Sequence, residues 1–133
     1  MRKSHSRGFV ISLSGGADSS ACALLCARAL EAARAGLGEA AFAQALAYAG
    51  LDAAAPLMPQ LLLCVYQASE HSGPATEQSA RELAASLGAA YSRWSIAPLL
   101  EGYHELVEGH LARPLDWATD DLALQNIQAR VRA

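Results

Sequence analysis

The 133-residue sequence lacks several features that would point to particular classes of protein. Its only lysine is Lys3, so no lysine follows a glycine turn and a Walker A loop is excluded. No apolar run reaches the roughly eighteen residues of a membrane span, and residues 1–7 lack the hydrophobic segment of a signal peptide. The net charge of −3 gives no electrostatic support for nucleic-acid binding. These absences favour a cytoplasmic protein.

Cysteine is also scarce, with Cys22 and Cys26 four residues apart and Cys64 far along the chain. An odd count in an alanine-rich sequence indicates reduced, buried thiols rather than a disulfide framework. The three cysteines have no matching second pair and no neighbouring histidines, so they do not form the ligand pattern of a zinc site.

What the sequence does contain is apolar residues, which make up 53% of it, many of them alanine. This composition and length predict one domain over residues 1–133 with closely packed helices. Hydrophobic periodicity predicts strands at 9–13, 60–66 and 89–96, and helices at 18–35, 39–49, 98–108 and 119–132. A further helix is predicted between a cap at Ser72 or Thr76 and a stop at Gly88.

Three details of these elements are also predicted. Residues 51–59 contain two prolines and are predicted to form a loop, and Trp94 is predicted to be a core or edge residue. Helix 98–108 is expected to pack through Leu99, Tyr103, Leu106 and Val107. The first helix is expected to bury the stripe Cys22, Leu25, Cys26, Ala29 and Ala33.

The most informative stretch runs from Gly8 to Ser20, where a short apolar strand meets the turn Ser14-Gly15-Gly16 and then a helix that begins near Asp18. Strand, glycine turn and helix start in this order direct backbone N–H groups and the positive end of the helix dipole at one point. This arrangement predicts a phosphate-binding site. The alternative is an ordinary glycine turn whose serine caps the helix.

Two other polar segments are candidates for a ligand site. Asn126 and Arg130 lie four residues apart on the last predicted helix and can therefore contact one ligand, although a solvated amphipathic helix has the same spacing. The segment from Tyr66 to Thr76 follows a predicted strand, at the end where α/β sheets bind ligands. His71 in this segment is a possible catalytic base, but a solvated loop histidine is the simpler interpretation.

Two of these segments, the glycine turn and the last predicted helix, resemble sequence motifs of known enzymes. Ser-Gly-Gly-Ala-Asp-Ser (residues 14–19) resembles the SGGxDS loop of the N-type ATP pyrophosphatases, and residues 126–132 look like the Asn-x-x-Ala-Arg-x-Arg segment of NAD synthetases. The Tyr-Gln…Ser…Thr segment is similar to glutamine-dependent members of that family, with His71 where relatives often carry asparagine. The resemblance extends from Phe9 to Arg132.

The resemblance implies an α/β, Rossmann-like (adenine nucleotide alpha hydrolase-like) parallel sheet with helices on both faces, which we expect to be incomplete. It also implies ATP-dependent amidation of deamido-NAD to NAD through an adenylate, with release of AMP and pyrophosphate. Ser14 and Asp18 would be catalytic, Asp18 would bind Mg²⁺, and Asn126 and Arg130 would contact deamido-NAD. The residues that would bind ATP are Ser12, Leu13, Ser14, Gly15, Gly16, Ala17, Asp18 and Ser19.

The family further implies ammonia or glutamine as nitrogen donor, a glutamine amidase domain in a full-length protein and a homo-oligomer. Because three strands are predicted where the family has five, we expect a piece of a larger enzyme with little activity alone.

Two alternatives stay open. One is another pyrophosphatase-loop enzyme, such as one that modifies tRNA, and the other is a nucleotide-binding module without chemistry.

Overall fold

The computed structural model describes residues 4–70 and 72–132, so His71 lies outside the described residues. It confirms the α/β class: a three-stranded parallel sheet in the order β1-β2-β3, flanked by helices. The strands are β1 (Phe9–Ser12), β2 (Leu62–Ala68) and β3 (Ala90–Ser95). The helices are α1 (Ala17–Leu37), α2 (Glu39–Ala45), α3 (Leu57–Leu61), α4 (Pro74–Ser86), α5 (Ala97–Leu111) and α6 (Asp121–Arg132), with a 3₁₀ turn at Ala47–Ala49.

Contacts divide the chain into two compact units. The first unit comprises Met1–Tyr66 and Gly73–Arg93, and the second comprises Gln67–Ser72 and Trp94–Ala133. Among the described residues, no helix combines the length and the apolar character that crossing a bilayer requires.

In the first unit, β1 and β2 pair in parallel, with Phe9 opposite Leu62 and Ser12 opposite Val65. Strand β2 is covered on both faces, as its apolar sequence predicts, but it begins two residues later than expected. Strand β1 is different, because its residues alternate and Val10 is 65% exposed. A four-residue strand is too short for its sequence alone to distinguish one covered face from two.

The predicted buried stripe of α1 is wrong. Cys22 and Leu25 are exposed, and the residues that α1 buries are Ala23, Ala27 and Leu30, at steps of four and three. Alanine occupies so many positions of this helix that several stripes have helical periodicity. Burying the smallest side chains brings the helix axis closest to β1 and α4, which α1 contacts.

The three cysteines are free, as predicted, but only Cys64 is buried. Cys26 is partly buried and Cys22 is exposed. Burial raises the pKa of the Cys64 thiol, and likewise that of Cys26, with neighbouring sulfur atoms adding to both shifts. Among the described residues no group of three or more histidine, cysteine or acidic side chains is arranged to hold a metal ion.

The expected loop at residues 51–59 is partly helical, because α3 begins at Leu57 and includes Pro59 in its first turn, where proline is tolerated. The Gln60 amide holds the preceding segment in place. Its oxygen accepts the Asp52 N–H at 2.8 Å, and its nitrogen donates to the carbonyl oxygens of Asp52 and Pro56 at 3.0 and 3.1 Å. A side-chain network of this kind has no periodic signal in the sequence.

In the second unit, α5 and α6 contact each other. Leu124 and Ile127 of α6 are buried. In α5, however, Leu99, Tyr103 and Leu106 are exposed, against expectation, and Val107 is only partly buried. Trp94, in β3, is 49% exposed and is therefore not a core residue.

The predicted helix caps are also corrected. Gly73 precedes α4, and the Thr76 hydroxyl lies inside its first turn. Helix α6 begins after Asp120, not at Thr119, and the Asp120 carbonyl accepts the Leu124 N–H. Gly73 has the extended backbone of an N-cap residue, and each helix start lies next to a residue where a start was predicted.

Candidate functional site

The turn after β1 is anchored at both of its ends. On the strand side, Leu13 is fully buried, and its N–H donates to the Val65 carbonyl at 2.8 Å, continuing the pairing of β1 with β2. On the other side, α1 begins at Ala17. We call residues 14–19 the glycine loop. The hydrogen bond of Leu13 fixes its start against β2, and α1 fixes its end.

Two serine hydroxyls organise the glycine loop. The Ser19 hydroxyl donates to the Gly16 carbonyl at 3.1 Å and accepts the Ser14 N–H at 3.2 Å. The Ser14 and Ser19 oxygens are 3.0 Å apart, and since the Ser19 proton is already used, Ser14 donates in this pair. The Ser14 oxygen in turn accepts the Gly16 N–H at 3.3 Å. The two hydroxyls are thus part of the loop as well as potential ligand contacts.

The start of α1 has no side-chain cap. Gly16 occupies the N-cap position with an extended backbone, and no side chain hydrogen-bonds to the first amides. The Gly16 carbonyl accepts the Ser20 N–H at 3.1 Å and the Ser20 hydroxyl at 2.7 Å, which begins the helical ladder. Uncapped N–H groups at the positive end of a 21-residue helix are well suited to bind an anion. The predicted alternative, a serine that caps the helix, is therefore wrong.

Gly15 must be glycine for two independent reasons. Its φ of +80° lies in the left-handed region, which L side chains rarely adopt. A Cβ placed on Gly15 would also collide with the carbonyl oxygen of Thr76 and lie 3.0 Å from the carbonyl carbon. The first turn of α4 therefore forms a wall directly against the glycine loop.

Glu77 follows Thr76 in this wall and is neutralised by two arginines. Its carboxylate accepts hydrogen bonds from Arg93 at 3.1 Å and from Arg81 at 3.0 Å. The Arg93 hydrogen bond is the main cause that holds the pKa of Glu77 below its usual range. A carboxylate paired with two arginines repels a bound phosphate less than an unpaired carboxylate would.

Asp18 is the acidic residue of the first turn of α1, and it is exposed. Mg²⁺ in nucleotide sites commonly takes one or two carboxylates and completes its shell with phosphate oxygens and water. A single exposed carboxylate beside an uncapped helix start fits this pattern. Of the other predicted ATP-binding residues, Ser12 is the exposed last residue of β1 and Leu13 is fully buried. Gly15 and Gly16 form the turn, and Ala17 is the first residue of α1.

Asn126 and Arg130 lie in the second unit, both exposed on α6. Leu124 and Ile127 are buried, so the helix presents the amide and the guanidinium away from its buried stripe. The structure thus brings the glycine-loop residues together in the first unit and places Asn126 and Arg130 one helical turn apart in the second.

Sequence analysis missed a polar cluster in the second unit. An Arg132 guanidinium nitrogen donates to the Ser69 hydroxyl at 3.3 Å, and the Gln67 amide donates to the Arg132 carbonyl at 3.3 Å. The Ser72 hydroxyl accepts the Ser69 N–H at 2.9 Å. The signal that could have found this cluster is the polar segment after β2.

A cavity lies elsewhere in the first unit. It has a volume of about 790 Å³, contains no glycine-loop residue and has apolar walls that include Leu30, Phe42 and Leu46. The ion pair between Arg34 and Glu39, with N and O atoms 2.7 Å apart, also borders it. Because this arginine is already paired, the cavity offers a triphosphate far less than the glycine loop does.

Comparisons with known proteins found similar sequences and a similar structure. A sequence model described as NAD synthase matches residues 1–133. Glutamine-dependent NAD(+) synthetases from Homo sapiens and Bos taurus are 34% and 36% identical over 147 aligned positions, which cover 99% of this chain and 21% of each relative. A crystal structure of a glutamine-dependent NAD(+) synthetase from Cytophaga hutchinsonii matches with a TM-score of 0.89 and 43% identity, over 100% of this chain and 25% of that one.

The chain spans about a fifth of the length of the curated relatives that it matches. Both the family match and the structural match extend over its whole length, including the glycine loop and α6. The chain belongs to the NAD synthase family.

Proposed function

We propose that this chain forms the ATP-binding part of an enzyme that converts deamido-NAD to NAD. The observation that carries the proposal is the glycine loop, an uncapped helix start beside two ordered serine hydroxyls and one exposed aspartate. The helix start offers backbone N–H groups to a phosphate, and the two serine hydroxyls can add to them once they turn away from their partners within the loop. The relatives named glutamine-dependent NAD(+) synthetases support this choice of reaction.

The proposed reaction has two steps. A carboxylate oxygen of deamido-NAD attacks the α-phosphorus of ATP, the bond from that phosphorus to the bridging oxygen breaks, and pyrophosphate leaves. Ammonia then attacks the activated carbonyl carbon, AMP leaves with the bonding electron pair, and a proton passes to solvent. In each step a phosphate group leaves with negative charge. Hydrogen-bond donors that are already fixed in place can stabilise that charge.

The glycine loop would bind the departing pyrophosphate. Ser14 and Ser19 would turn their hydroxyls to phosphate oxygens, and the amides of residues 15–19 would donate to the same group. Asp18 would hold Mg²⁺, which, when bound, neutralises the charge on the leaving group. Ser12 would line the approach from β1, whereas Leu13, which is fully buried, would anchor the loop through its hydrogen bond to Val65 rather than contact ATP. Ser14, closest to the reacting phosphates, would stabilise the transition state together with Asp18.

Asn126 and Arg130 would bind deamido-NAD. An amide with both a donor and an acceptor, one helical turn from a planar guanidinium, can recognise a carboxylate or a phosphate with defined orientation. Their exposure on α6 leaves both side chains available to a ligand or to a neighbouring subunit. A homo-oligomer in which this helix lies near the interface is part of the proposal.

We further propose glutamine as nitrogen source, through an amidase domain of the full-length protein, because the relatives are named glutamine-dependent. Free ammonia would serve the same second step. The two alternative functions, a tRNA-modifying pyrophosphatase-loop enzyme and a binding module without chemistry, are not favoured by a family match over residues 1–133.

Two measurements test the proposal. Calorimetric titration of the purified chain with ATP and Mg²⁺ should show saturable binding that Asp18→Asn weakens and that Asp52→Asn, a matched change in the same unit, leaves unchanged. Turnover should then be assayed in a chimera in which this chain replaces the matched quarter of the Cytophaga hutchinsonii enzyme. We expect pyrophosphate release that depends on deamido-NAD. Release that depends on RNA, or binding without turnover, would support one of the alternatives instead.

A further inference from the structure

The buried phenol of Tyr66 links the strand next to the glycine loop to the first turn of α4. Tyr66 is 3% exposed and follows Val65, the residue whose carbonyl accepts the Leu13 N–H just before the loop. Its hydroxyl oxygen lies 2.9 Å from the Thr76 hydroxyl oxygen. Strand β2 therefore contacts the loop's anchor through its backbone and α4 through this side chain.

The direction of the hydrogen bonds can be assigned. The Thr76 hydroxyl donates to the Gly73 carbonyl at 2.8 Å, so its single proton is used. Tyr66 must then donate to the Thr76 oxygen. The chain of bonds from Tyr66 through Thr76 to Gly73 fixes the first turn of α4 relative to β2, and a buried phenol that loses this acceptor would be left unsatisfied.

The same turn touches the glycine loop with no room to spare. The Thr76 carbonyl occupies the space where a Gly15 side chain would be. A shift of Thr76 toward the loop is therefore transmitted to Gly15, and a shift away removes the wall that supports it. Glycine adopts the φ of +80° without strain, so the contact with Thr76 constrains where Gly15 lies rather than its backbone angles.

We propose that Tyr66 and Thr76 are positioning residues for phosphate binding. Their hydrogen bond holds the first turn of α4 against Gly15 and thereby keeps the amides of the glycine loop aimed at one point. This inference rests on the proposed function of the loop, because it assigns Tyr66 and Thr76 an effect on ligand affinity that they exert without touching the ligand.

Three variants of the full chain test it. Tyr66→Phe and Thr76→Val each remove one hydroxyl and keep the shape of the side chain, whereas Thr76→Ser keeps the hydroxyl. We expect the first two to weaken binding of pyrophosphate with Mg²⁺ by about three- to tenfold, the effect of one hydrogen bond. Thr76→Ser should stay within about twofold of the wild type, and the double variant should lose little more than either single variant because both remove the same bond.

Tyr48→Phe is the matched control, since it removes a tyrosine hydroxyl that donates to the Ser6 carbonyl at 3.1 Å in the same unit. It should leave affinity unchanged. Amide hydrogen exchange of residues 14–16, measured without ligand, gives a second readout and should be faster in Tyr66→Phe and Thr76→Val only.

These readouts separate the inference from the proposed function. A wild type that binds no pyrophosphate, together with faster exchange in the two variants, would refute the function and leave the positioning role supported. A wild type that binds, with affinity and exchange unchanged in Tyr66→Phe and Thr76→Val, would overturn the inference. Additive losses in the double variant would also contradict it.

Discussion

At the scale of single residues, Gly15 is the position in the glycine loop where both the backbone angle and a close contact oppose substitution. We expect Gly15→Ala to destabilise the fold by at least about 1–2 kcal/mol, the cost of a left-handed backbone for an L residue. The collision with the Thr76 carbonyl adds to this cost. Urea unfolding of the purified chain measures the change.

Gly36→Ala is the control for Gly15→Ala. Gly36 lies within α1, and an added Cβ there has nothing within 4 Å. Replacing a helical glycine by alanine should stabilise the fold by about 0.5–1 kcal/mol. If both substitutions changed stability with the same sign and size, the described contact between Gly15 and Thr76 would be wrong.

Ser14 contributes a donor and an acceptor to the glycine loop. We expect Ser14→Ala to reduce affinity for ATP with Mg²⁺ by about tenfold, because it removes a hydrogen bond to a charged ligand and one to Ser19. Calorimetry measures this loss. Ser86→Ala, which removes a hydroxyl that donates to the Leu83 carbonyl on the exposed side of α4, should have no effect. Equal affinities for all three proteins would argue against a phosphate ligand.

At the scale of elements, the start of α6 depends on an ion pair. The Arg113 guanidinium donates two hydrogen bonds to the Asp120 carboxylate, at 2.7 and 2.8 Å. This arginine is the main cause that holds the pKa of the Asp120 carboxyl well below its usual range, and the Asp116 N–H adds to the effect. Because the pKa is lower in the folded chain, the ionised form stabilises α6.

The pH dependence follows from the sign of this shift. The contribution of Asp120 is fully present above the unfolded-state pKa of about 3.9 and is lost as the pH falls further. We expect the melting temperature of wild type to exceed that of Asp120→Asn by a constant margin between about pH 5 and 7, and the margin to narrow below about pH 4. Glu105→Gln should show no such convergence. A margin that widened in acid would contradict the assignment.

Element positions were largely predictable, whereas element faces were not. The alternation of apolar runs and glycine stops located β1, α1, α4 and β3 because period and breakers are local signals. The buried stripe of α1 was missed because alanine gives several stripes the same pattern. The exposed side of α5 was missed because its leucines and tyrosine repeat at helical spacing without being covered in the described structure.

At the scale of the whole molecule, the glycine loop could be predicted because all its parts are contiguous in sequence. The wall that supports it could not, because Tyr66 and Thr76 are separated from Gly15 by more than fifty residues and only the fold joins them. The Arg132–Ser69 hydrogen bond is hidden for the same reason, since it joins residues 63 positions apart. A motif of contiguous residues can therefore be found in the sequence, whereas the contacts that position it depend on the tertiary fold.

The central claim is that the glycine loop binds the diphosphate part of a nucleotide. It is tested most directly by following the backbone amide signals of the isotopically labelled chain while pyrophosphate and Mg²⁺ are added. We expect saturable changes centred on the amides of residues 14–19, with Asp18→Asn abolishing the dependence on Mg²⁺. Saturable changes centred elsewhere, or a loop that does not respond at saturating pyrophosphate, would contradict the account.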